Sequence, residues 1–277
     1  MPGRWIGTLR EIASAMRAEL LAFLSSLERP RKAAEAEELG KKTDELVTGV
    51  LLEELHARDL ACTLVCEDLG TLRLAPSGAA GPYLVVDPLD GTRNFSRGFP
   101  MASISMAICS GPDLTGLEEA LVLEVFSGRE FWAVSGEGAF SGQERLSVSE
   151  TAELSKALVS LDKSRVSGEL EWISVIASSV GATRQLGSAS LELCLLASGV
   201  TDAHVDLRGR IRPMDVAAGL LIALEAGASI WLRGKLRLGG ALDTQERLFL
   251  IASNPNLFDV LRGLLRPYLG AGLTLRR

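Results

Sequence analysis

The stretch VVDPLDGTRNF, residues 85–95, contains the pattern that decides the fold of this chain. Val85 and Val86 predict a buried strand that runs into Asp87, and Asp90 follows three positions later. Two carboxylates held this close repel each other, and removing them from water costs further free energy. A fold tolerates such a pair when a positive charge lies between them, so the stretch predicts a divalent metal site at a strand end.

The residues after the two aspartates indicate phosphate chemistry beside the metal. Asp87 and Asp90 flank a two-residue turn, so both can reach one small volume. Gly91 lets the backbone approach a ligand closely. If the amides of Gly91 and Thr92 open a helical turn, they point at an anion, and the Thr92 hydroxyl could orient a water molecule. The alternative is an Asp-Gly turn without any ligand.

The composition is that of an ordinary globular protein. Of the 277 residues, 47% are hydrophobic and 23% are charged, and the formal net charge is −6. An acidic chain lacks the basic surface that a phosphate backbone requires, so no nucleic acid partner is expected. A small phosphorylated substrate stays compatible with this charge, because a metal can supply the local positive charge.

The distribution of apolar residues and cysteines indicates the cellular compartment. No apolar run reaches the ~20 residues that span a bilayer, and the charged N-terminal stretch lacks the apolar core of a signal peptide. We therefore expect a cytoplasmic protein without a membrane partner. The four cysteines form no zinc-ligand pattern and are predicted to be reduced core residues. The chain has only two histidines, so a catalytic mechanism based on histidine is not favoured.

The order of predicted elements divides the chain near residue 150. Helical periodicity covers residues 4–28, the charged stretch 28–45 is interpreted as a loop, and a second helix follows at about 44–58. Strand-like runs separated by Gly, Pro and Ser fill residues 101–140, as in an antiparallel sheet. Strands and helices then alternate, which indicates α/β layering. The prediction is an α+β half at 1–150 that carries most of the candidate metal ligands. An α/β half at 151–277 carries Asp215 and the substrate pocket.

Two further acidic positions stand at predicted element ends. Glu67 closes a short apolar strand, and Asp215 lies in the first turn of a predicted helix in RPMDVAAG. Asp215 alone could be an ordinary helix N-terminal acid, and Glu67 alone a solvated strand-end carboxylate. Taken with Asp87 and Asp90, they supply the carboxylate oxygens that Mg²⁺ prefers and that a two-metal phosphate site requires.

Four ordered motifs resemble the inositol monophosphatase superfamily, Mg²⁺-dependent and lithium-sensitive phosphomonoesterases that include fructose-1,6-bisphosphatases. DPLDGTRNF is similar to the signature DPxDGTxNF, and CEDLG is similar to the GEE or SEExG motif twenty positions before Asp87. LGSASLELCLLASGVTDAHVDL and RPMDVAAGLLIALEAGAS resemble the two later motifs. The resemblance covers about residues 44–250. It implies a layered sugar-phosphatase fold, α-β-α-β-α, with mixed and antiparallel sheets.

The resemblance assigns roles to residues of this chain. The implied metal ligands are the side chains of Glu67, Asp87, Asp90 and Asp215 with the carbonyl of Leu89. Two or three Mg²⁺ ions are implied, with Mn²⁺ able to substitute and Li⁺ expected to inhibit. Thr92 would orient the nucleophilic water, partnered by an acid early in the second helix. Counting back from Glu67 gives Asp44 and aligning LVT gives Glu45; Asp44 is the choice.

The resemblance also implies the substrate contacts. The amides of Gly91 and Thr92 would hold the phosphate, and Gly187, Ser188 and Ala189 would line a sugar or inositol pocket with Asp206 near its hydroxyls.

Two departures from the pattern affect the pocket. Met214 replaces a tryptophan, and the longer spacer DLRGRIRPMD carries Arg208, Arg210 and Arg212, as in the archaeal dual-specificity branch. Arginine suits a second phosphate, although these arginines could equally be solvated or ion-paired.

The expected function is Mg²⁺-dependent hydrolysis of inositol 1-phosphate, fructose 1,6-bisphosphate or both by metal-activated water. A 3′-phosphoadenosine 5′-phosphate phosphatase and an NADP phosphatase are alternatives on the same scaffold. An alternative of another class is a non-catalytic, metal-binding regulatory scaffold. A calcium module is disfavoured because no D-x-[DN]-x-[DN]-G loop is present. By analogy with the family, a homodimer is expected.

Overall fold

The computed structural model describes residues 3–26, 32–74, 81–164, 171–234, 236 and 247–277. These ranges contain seven α-helices and fourteen strands. The helices are α1 (Ile6–Ser25), α2 (Ala33–Ala57), α3 (Thr92–Ser96), α4 (Glu171–Ser179), α5 (Ala189–Ala197), α6 (Pro213–Glu225) and α7 (Pro255–Leu265). The strands of the first half are β1 (Cys62–Cys66), β2 (Gly70–Leu74), β3 (Tyr83–Asp90), β4 (Ser103–Cys109), β5 (Leu117–Glu124), β6 (Glu130–Val134), β7 (Gly138–Ser141) and β8 (Glu144–Arg145). Those of the second half are β9 (Leu158–Leu161), β10 (Ala182–Arg184), β11 (Ala203–Ile211), β12 (Ser229–Arg233), β13 (Leu248–Ser253) and β14 (Leu273–Leu275).

The strands form two sheets, each confined to one half of the chain. The first has the order β2-β1-β3-β4-β5-β6-β7-β8, and the second has the order β10-β9-β11-β13-β12-β14. In the first sheet β1 is parallel to β3 and the other neighbours are antiparallel. In the second sheet β9 runs parallel to β10 and β11. Mixed and antiparallel pairing therefore confirms the predicted sheet types.

Three apolar clusters arrange these elements in five layers. Helices α1 and α2 pack on the outer face of the first sheet. Helices α5 and α6 fill the space between the two sheets, and α4 and α7 cover the outer face of the second sheet. Helix α5 and the middle of α6 are buried nearly all round, as a helix enclosed between two sheets must be. The α-β-α-β-α layering is as predicted.

The predicted loop at residues 28–45 is wrong for most of its length, because α2 begins at Ala33. The many charged side chains of this segment leave no clear helical period of apolar residues. They nevertheless stabilise the helix through i,i+4 ion pairs. Lys41 lies 3.8 Å from Glu37, and a second such pair follows one residue later. Ala36, Gly40 and Thr43 continue the buried face of α2 toward its N-terminus. Residues 28–31 of the predicted loop lie outside the described ranges.

Three smaller expectations also have outcomes. All four cysteines are free and buried, as predicted for reduced core residues. No helix among the described residues is long and apolar enough to cross a membrane. The two sheets separate near residue 150, but α5 and α6 pack against both of them. Whether residues 1–150 and 151–277 are separate domains stays a prediction.

Candidate active site

The end of β3 is built by an irregular strand and an obligatory glycine. The register between β3 and β4 shifts between Asp87 and Asp90, where Pro88 has no N–H to donate. Gly91 follows with φ +93°, and a Cβ there would lie 2.8 Å from the carbonyl oxygen of Met101. Only glycine satisfies both conditions at low cost. The bulge and turn place both carboxylates at the mouth of the same cavity.

Three carboxylates converge at this edge of the first sheet. Oxygen atoms of Glu67, Asp87 and Asp215 lie within 4.8 Å of one another. Parallel pairing of Cys66 with Val86 puts Glu67 and Asp87 side by side, one residue beyond the paired positions. Asp215 lies in the first turn of α6. The backbone N–H of Arg212, just before that helix, donates to the Asp215 carboxylate at 2.9 Å. The parallel pair and the helix start together create the cluster.

Asp90 lines the same cavity, and hydrogen bonds tie its carboxylate to the start of α5. Its Oδ2 accepts from the hydroxyls of Ser188 and Ser190 at 2.8 and 2.5 Å, and from the Ser190 N–H at 2.8 Å. Ser103 contacts both serine hydroxyls from β4. These donors occupy one carboxylate oxygen of Asp90 and fix the orientation of the other.

The electrostatics of the cluster are those of a site that favours a cation. Burial, reinforced by the neighbouring carboxylates Glu67 and Asp90, raises the pKa of Asp87 well above its usual value. Burial raises the pKa of Asp90 to about 6, although the Ser190 hydrogen bonds oppose the shift. Burial also raises the pKa of Asp215. Each carboxylate is therefore costly to ionise without nearby positive charge.

The donor set fits a hard divalent cation. All three clustered side chains offer carboxylate oxygens, and Asp90 and the Leu89 carbonyl line the same cavity. No soft sulfur ligand lines that cavity. Mg²⁺ takes carboxylate, carbonyl and water oxygens and shares them with substrate phosphate, so the predicted ligand set is chemically consistent.

Arg212 is the site residue whose position the sequence did not reveal. Its guanidinium lies 2.5 Å from Glu67 and 2.9 Å from Asp215. It therefore joins β1 to α6 and supplies positive charge to two of the three clustered acids. The available signal was its position three residues before Asp215, where an N-cap residue can contact an N3 acid. Of the two interpretations of this arginine from the sequence, a contact to a second phosphate or an ion pair, the geometry favours the ion pair.

The Thr92 hydroxyl contacts Asp44. Thr92 Oγ1 donates to Asp44 Oδ1 at 2.9 Å and also lies 3.0 Å from the Leu89 carbonyl oxygen. Glu45, the other candidate, is exposed. Gly40 allows α2 to approach, because a Cβ there would be 3.2 Å from the Thr92 methyl group. Burial raises the pKa of Asp44 to about 6, which the hydrogen bond from Thr92 opposes.

A cavity of about 410 Å³ is lined by the three clustered acids together with Asp90 and Thr92, and Asp44 is not among its lining residues. Of the predicted substrate contacts, Gly91, Thr92, Gly187, Ala189, Arg208 and Arg210 line it. Ser188 does not, because it is fully buried beneath Asp90. Asp206 does not either: it is 1% exposed and ion-paired to Arg208. Direct substrate contact by Ser188 and Asp206 stays a prediction that this geometry does not favour.

The second-half wall of the cavity includes residues that were not predicted. Asp162 and Ser164 follow β9, and Asp162 holds Arg208 at 2.8 Å while Ser164 Oγ accepts from Arg208 Nη1 at 2.9 Å. Arg93 and Arg247 also line the cavity. A strand end before a turn was the only signal for Asp162, and such ends are common. Arg208 is thus neutralised by two acids, Asp162 and Asp206.

A buried polar network positions the loop at residues 186–189, where substrate contacts are predicted. The Leu186 N–H donates to Glu192 Oε1 at 2.9 Å, and the Asn94 amide donates to the Leu186 carbonyl at 2.7 Å. Behind Glu192, the ring of His204 lies 3.8 Å away and contacts the Ser160 hydroxyl at 2.8 Å. Glu192 and His204 are almost fully buried. Their protonation therefore affects the stability of this wall.

We expect Glu192→Gln to flatten the pH dependence of stability between pH 6.5 and 8. Burial raises the pKa of Glu192 from 4.5 to about 8, so the folded protein binds the extra proton and stability falls as pH rises over this range. His204, whose pKa burial lowers from 6.5 to about 4, acts in the opposite direction below pH 6.5. The wild-type free energy of unfolding should lose up to about 1.4 kcal/mol per pH unit through Glu192.

Urea unfolding at the two ends of that window measures the difference. Glutamine keeps an oxygen for the Leu186 N–H, so the variant retains the loop contact. Glu37→Gln, at a 75% exposed side chain, is the matched control and should follow the wild-type slope. An unchanged slope in Glu192→Gln would show that Glu192 does not titrate in this window.

Comparison with known proteins identifies the relatives of this arrangement. The sequence matches the inositol monophosphatase family over residues 6–265. The fructose-1,6-bisphosphatase/inositol-1-monophosphatase of Methanothermobacter thermautotrophicus is 33% identical over 198 residues, covering 69% of this chain and 70% of that protein. A protein of Neisseria meningitidis named putative Nus factor SuhB is 33% identical over 213 residues, covering 75% and 77%. The inositol monophosphatase structure from Anabaena covers 95% of both chains with TM-score 0.74 at 23% identity, which supports the fold.

The layered fold, the acidic cavity and these relatives together define a phosphoric monoester hydrolase. The chain belongs to the inositol monophosphatase family. The family match extends beyond the motifs that carried the resemblance, since it includes the whole of α1 and α7.

Proposed function

We propose that this protein is a Mg²⁺-dependent phosphomonoesterase acting on inositol 1-phosphate, fructose 1,6-bisphosphate or both. One observation carries the proposal: the cluster of Glu67, Asp87 and Asp215 lines the same cavity as Thr92. The Thr92 hydroxyl in turn donates to Asp44. The first group fits a hard cation, and the second can handle a proton. A phosphate ester needs both for attack by water.

The metal ligands in this proposal are Glu67, Asp87, Asp90, Asp215 and the Leu89 carbonyl. Bound divalent ions would neutralise the phosphate oxygens and the leaving alkoxide and acidify water. Arg212 holds Glu67 and Asp215 in place through its two ion pairs. The serines beneath Asp90 orient its carboxylate toward the cavity. Ligand geometry is thus fixed before a substrate arrives, which is what electrostatic catalysis requires.

The chain's own proton-handling groups are Thr92 and Asp44. Because the Thr92 hydroxyl donates to Asp44, its oxygen lone pairs are available to accept a hydrogen bond from the attacking water. Asp44, with its pKa raised to about 6 by burial, can accept a proton near neutral pH through Thr92. The amides of Gly91 and Thr92 would donate to the phosphate oxygens. No covalent enzyme intermediate is needed.

The second-half wall of the cavity supports a sugar or inositol phosphate as the substrate class. Gly187 and Ala189 add little side-chain bulk to the cavity lining, and Arg210 and Arg247 also line the cavity. The relative from Methanothermobacter is named for both inositol and fructose phosphate activities, which favours the dual-specificity proposal. The alternatives, 3′-phosphoadenosine 5′-phosphate and NADP, have the same phosphomonoester chemistry.

The direct experiment measures phosphate release from inositol 1-phosphate, fructose 1,6-bisphosphate, 3′-phosphoadenosine 5′-phosphate and NADP, each with Mg²⁺ and with a chelator. Mg²⁺-dependent release from the first two is the expected result. Release only from a nucleotide would mean that the substrate is a nucleotide phosphate and not a sugar or inositol phosphate. The proposed phosphomonoester hydrolysis would still hold. Rates unaffected by chelation would contradict the metal-dependent mechanism.

Arg210 is the residue we expect to recognise a second phosphate. It is exposed in the cavity and no described residue forms an ion pair with it, whereas Arg208 is held by Asp162 and Asp206. Arg210→Gln should raise KM for fructose 1,6-bisphosphate about tenfold, because a charged hydrogen bond is lost. KM for inositol 1-phosphate, which has one phosphate, should change less than about twofold.

Steady-state kinetics on both substrates checks this discrimination. Arg208→Gln is the comparison variant, and it should impair both substrates alike because it leaves buried Asp206 without its partner. Equal KM changes for both substrates in Arg210→Gln would contradict a role specific to the second phosphate.

The non-catalytic regulatory scaffold stays the second candidate, and the relative named putative Nus factor SuhB is the observation that favours it. Against it, every proposed ligand and the Thr92–Asp44 pair are in place. Failure of all four substrates with Mg²⁺ would favour the scaffold.

The remaining expectations stay predictions with direct measurements. Light scattering tests the homodimer, and metal analysis tests the number of ions. Inhibition by Li⁺ and substitution by Mn²⁺ are tested in the phosphate-release assay. The cytoplasmic location is tested by fractionation of the source cells.

A further inference from the structure

A second cavity, of about 460 Å³, lies at the C-terminal end of α7. Its lining includes Arg262 and Arg266 from α7 and the turn after it, Trp231 from β12, and Gly270 before β14. It shares no lining residue with the active-site cavity. Helix α7 also packs on the opposite face of the second sheet from α5 and α6, which border the active site. We call this cavity the arginine groove.

Two cations of the arginine groove have no carboxylate partner within the part of the chain that the structure describes. Among the described residues, none forms an ion pair with Arg262 or Arg266. The one acid that lines the groove, Asp259, is already paired with Arg276 at 2.9 Å. On a chain whose net charge is −6, two unpaired guanidinium groups lining one concave surface form a local positive site.

One donor in the groove is both buried and unsatisfied. Arg262 Nε is shielded from solvent and donates to no described atom, while its guanidinium lies 5.5 Å from the Phe258 ring centre. A buried donor of this kind calls for an acceptor. Since Nε and a terminal nitrogen form one edge of a planar fork, a phosphate oxygen pair would match it.

The groove edge brings a third cation close. Arg233 stacks on Phe249 at 3.7 Å, and a Cβ on Gly270 would lie 2.7 Å from its Nη1. The lack of a side chain at Gly270 therefore lets this guanidinium approach the groove. Arg262 and Arg266 therefore line the groove, with Arg233 beside Gly270 at its edge, and the lining acid Asp259 is already neutralised.

We propose that the arginine groove binds a small multivalent phosphate anion of the diphosphate or triphosphate class. The ligand's oxygens satisfy Arg262 Nε and pair with Arg266, and its multiple charges match the convergent cations. This site is independent of the proposed substrate and of the metal cluster. The competing explanation is that Arg262, in the last turn of α7, only stabilises the helix C-terminus.

The test titrates metal-free protein with pyrophosphate in a chelating buffer and follows binding by calorimetry. Metal-free conditions leave the active-site acids unneutralised, which disfavours anion binding there. Wild type should bind one pyrophosphate, and Arg262→Gln combined with Arg266→Gln should weaken binding at least about tenfold. Arg210→Gln, which alters only the active-site cavity, should bind as wild type does. Melting temperatures establish that each variant is folded.

Two further readouts localise the site. The Arg262 Nε–H resonance in a nitrogen–proton correlation spectrum should shift on adding pyrophosphate. Arg262→Lys, which keeps the charge but lacks Nε, should bind more weakly than wild type. Undiminished binding by the double variant, loss of binding in Arg210→Gln, or no saturable binding by wild type would each overturn the proposal. Lower stability of the double variant with unchanged binding would assign the arginines to helix capping alone.

Discussion

Asp90→Asn is expected to reduce Mg²⁺-dependent phosphate release at least about a hundredfold, because several kcal/mol of charge stabilisation depend on the ligand set. The fold should remain intact. The hydrogen bonds from Ser188 and Ser190 converge on one oxygen of Asp90, and asparagine can present its carbonyl oxygen to the same donors. The side-chain amide nitrogen of asparagine would then take the place of Asp90 Oδ1, the oxygen that none of these serine donors contacts, and the negative charge would be lost.

The same substitution should have the opposite effect on stability without metal. Burial raises the pKa of Asp90 to about 6, so at neutral pH the wild type keeps a costly buried charge beside Asp87 and Asp215. Removing that charge should leave metal-free stability unchanged or higher, whereas the stabilisation gained on adding Mg²⁺ should shrink. Melting temperatures with and without Mg²⁺, together with phosphate release, measure both effects.

Asp259→Asn is the matched control, since that side chain is 75% exposed and, among the described residues, belongs neither to the acidic cluster nor to the lining of the active-site cavity. It should leave both the activity and the response to Mg²⁺ at wild-type values. Undiminished hydrolysis by Asp90→Asn would remove Asp90 from the metal site. A strongly destabilised metal-free variant would instead show that its charge is needed for folding.

Thr92→Val is expected to lower kcat by about 10²- to 10⁴-fold with little change in KM, since positioned proton transfer contributes that much to the rate. Valine keeps the shape of threonine but has no hydroxyl to connect Asp44 with the attacking water. Asp44→Asn should reduce kcat over the same range. Because the two residues act as one unit, the double variant should be no slower than the worse single variant.

Single-turnover kinetics on all three variants checks this non-additivity. Thr48→Val provides the control within α2, because its hydroxyl contacts Asp68 at 3.2 Å and it does not line the cavity. It should retain wild-type kcat. Losses that multiply in the double variant would mean that Thr92 and Asp44 contribute through separate steps.

Local sequence patterns were sufficient for most of the fold. Between residues 101 and 140, strands that follow one another in the sequence also pair with one another in the sheet. Each pairing therefore depends on residues that are close in sequence. The exception was the start of α2, where Glu and Lys side chains carry i,i+4 pairs but no apolar period. Its small buried residues, Ala36 and Gly40, give little hydrophobic signal.

Within the candidate site, the sequence identified the residues that carry distinctive chemistry. The spacing of Asp87, Asp90 and Gly91 predicted a turn with two converging carboxylates. Glu67 and Asp215 were singled out by their places at predicted element ends, and the resemblance made them metal ligands. It left Asp44 and Glu45 as alternatives one residue apart, which differ by about 100° around a helix. Packing of α2 against α3 brings Asp44 to Thr92 and leaves Glu45 exposed.

The sequence by itself determined the order of the elements and the acidic strand end at Asp87 and Asp90, because both depend on neighbouring residues. Only the tertiary structure decided which side chains support those acids. Ser190 contacts Asp90 across 100 residues, and Arg212 reaches back to Glu67. Asp206, whose contact with the substrate stays a prediction, forms an ion pair with Arg208. Such contacts depend on how α5, α6 and β11 pack against the first sheet. That packing cannot be predicted from local sequence patterns, because it joins residues that are far apart in the sequence.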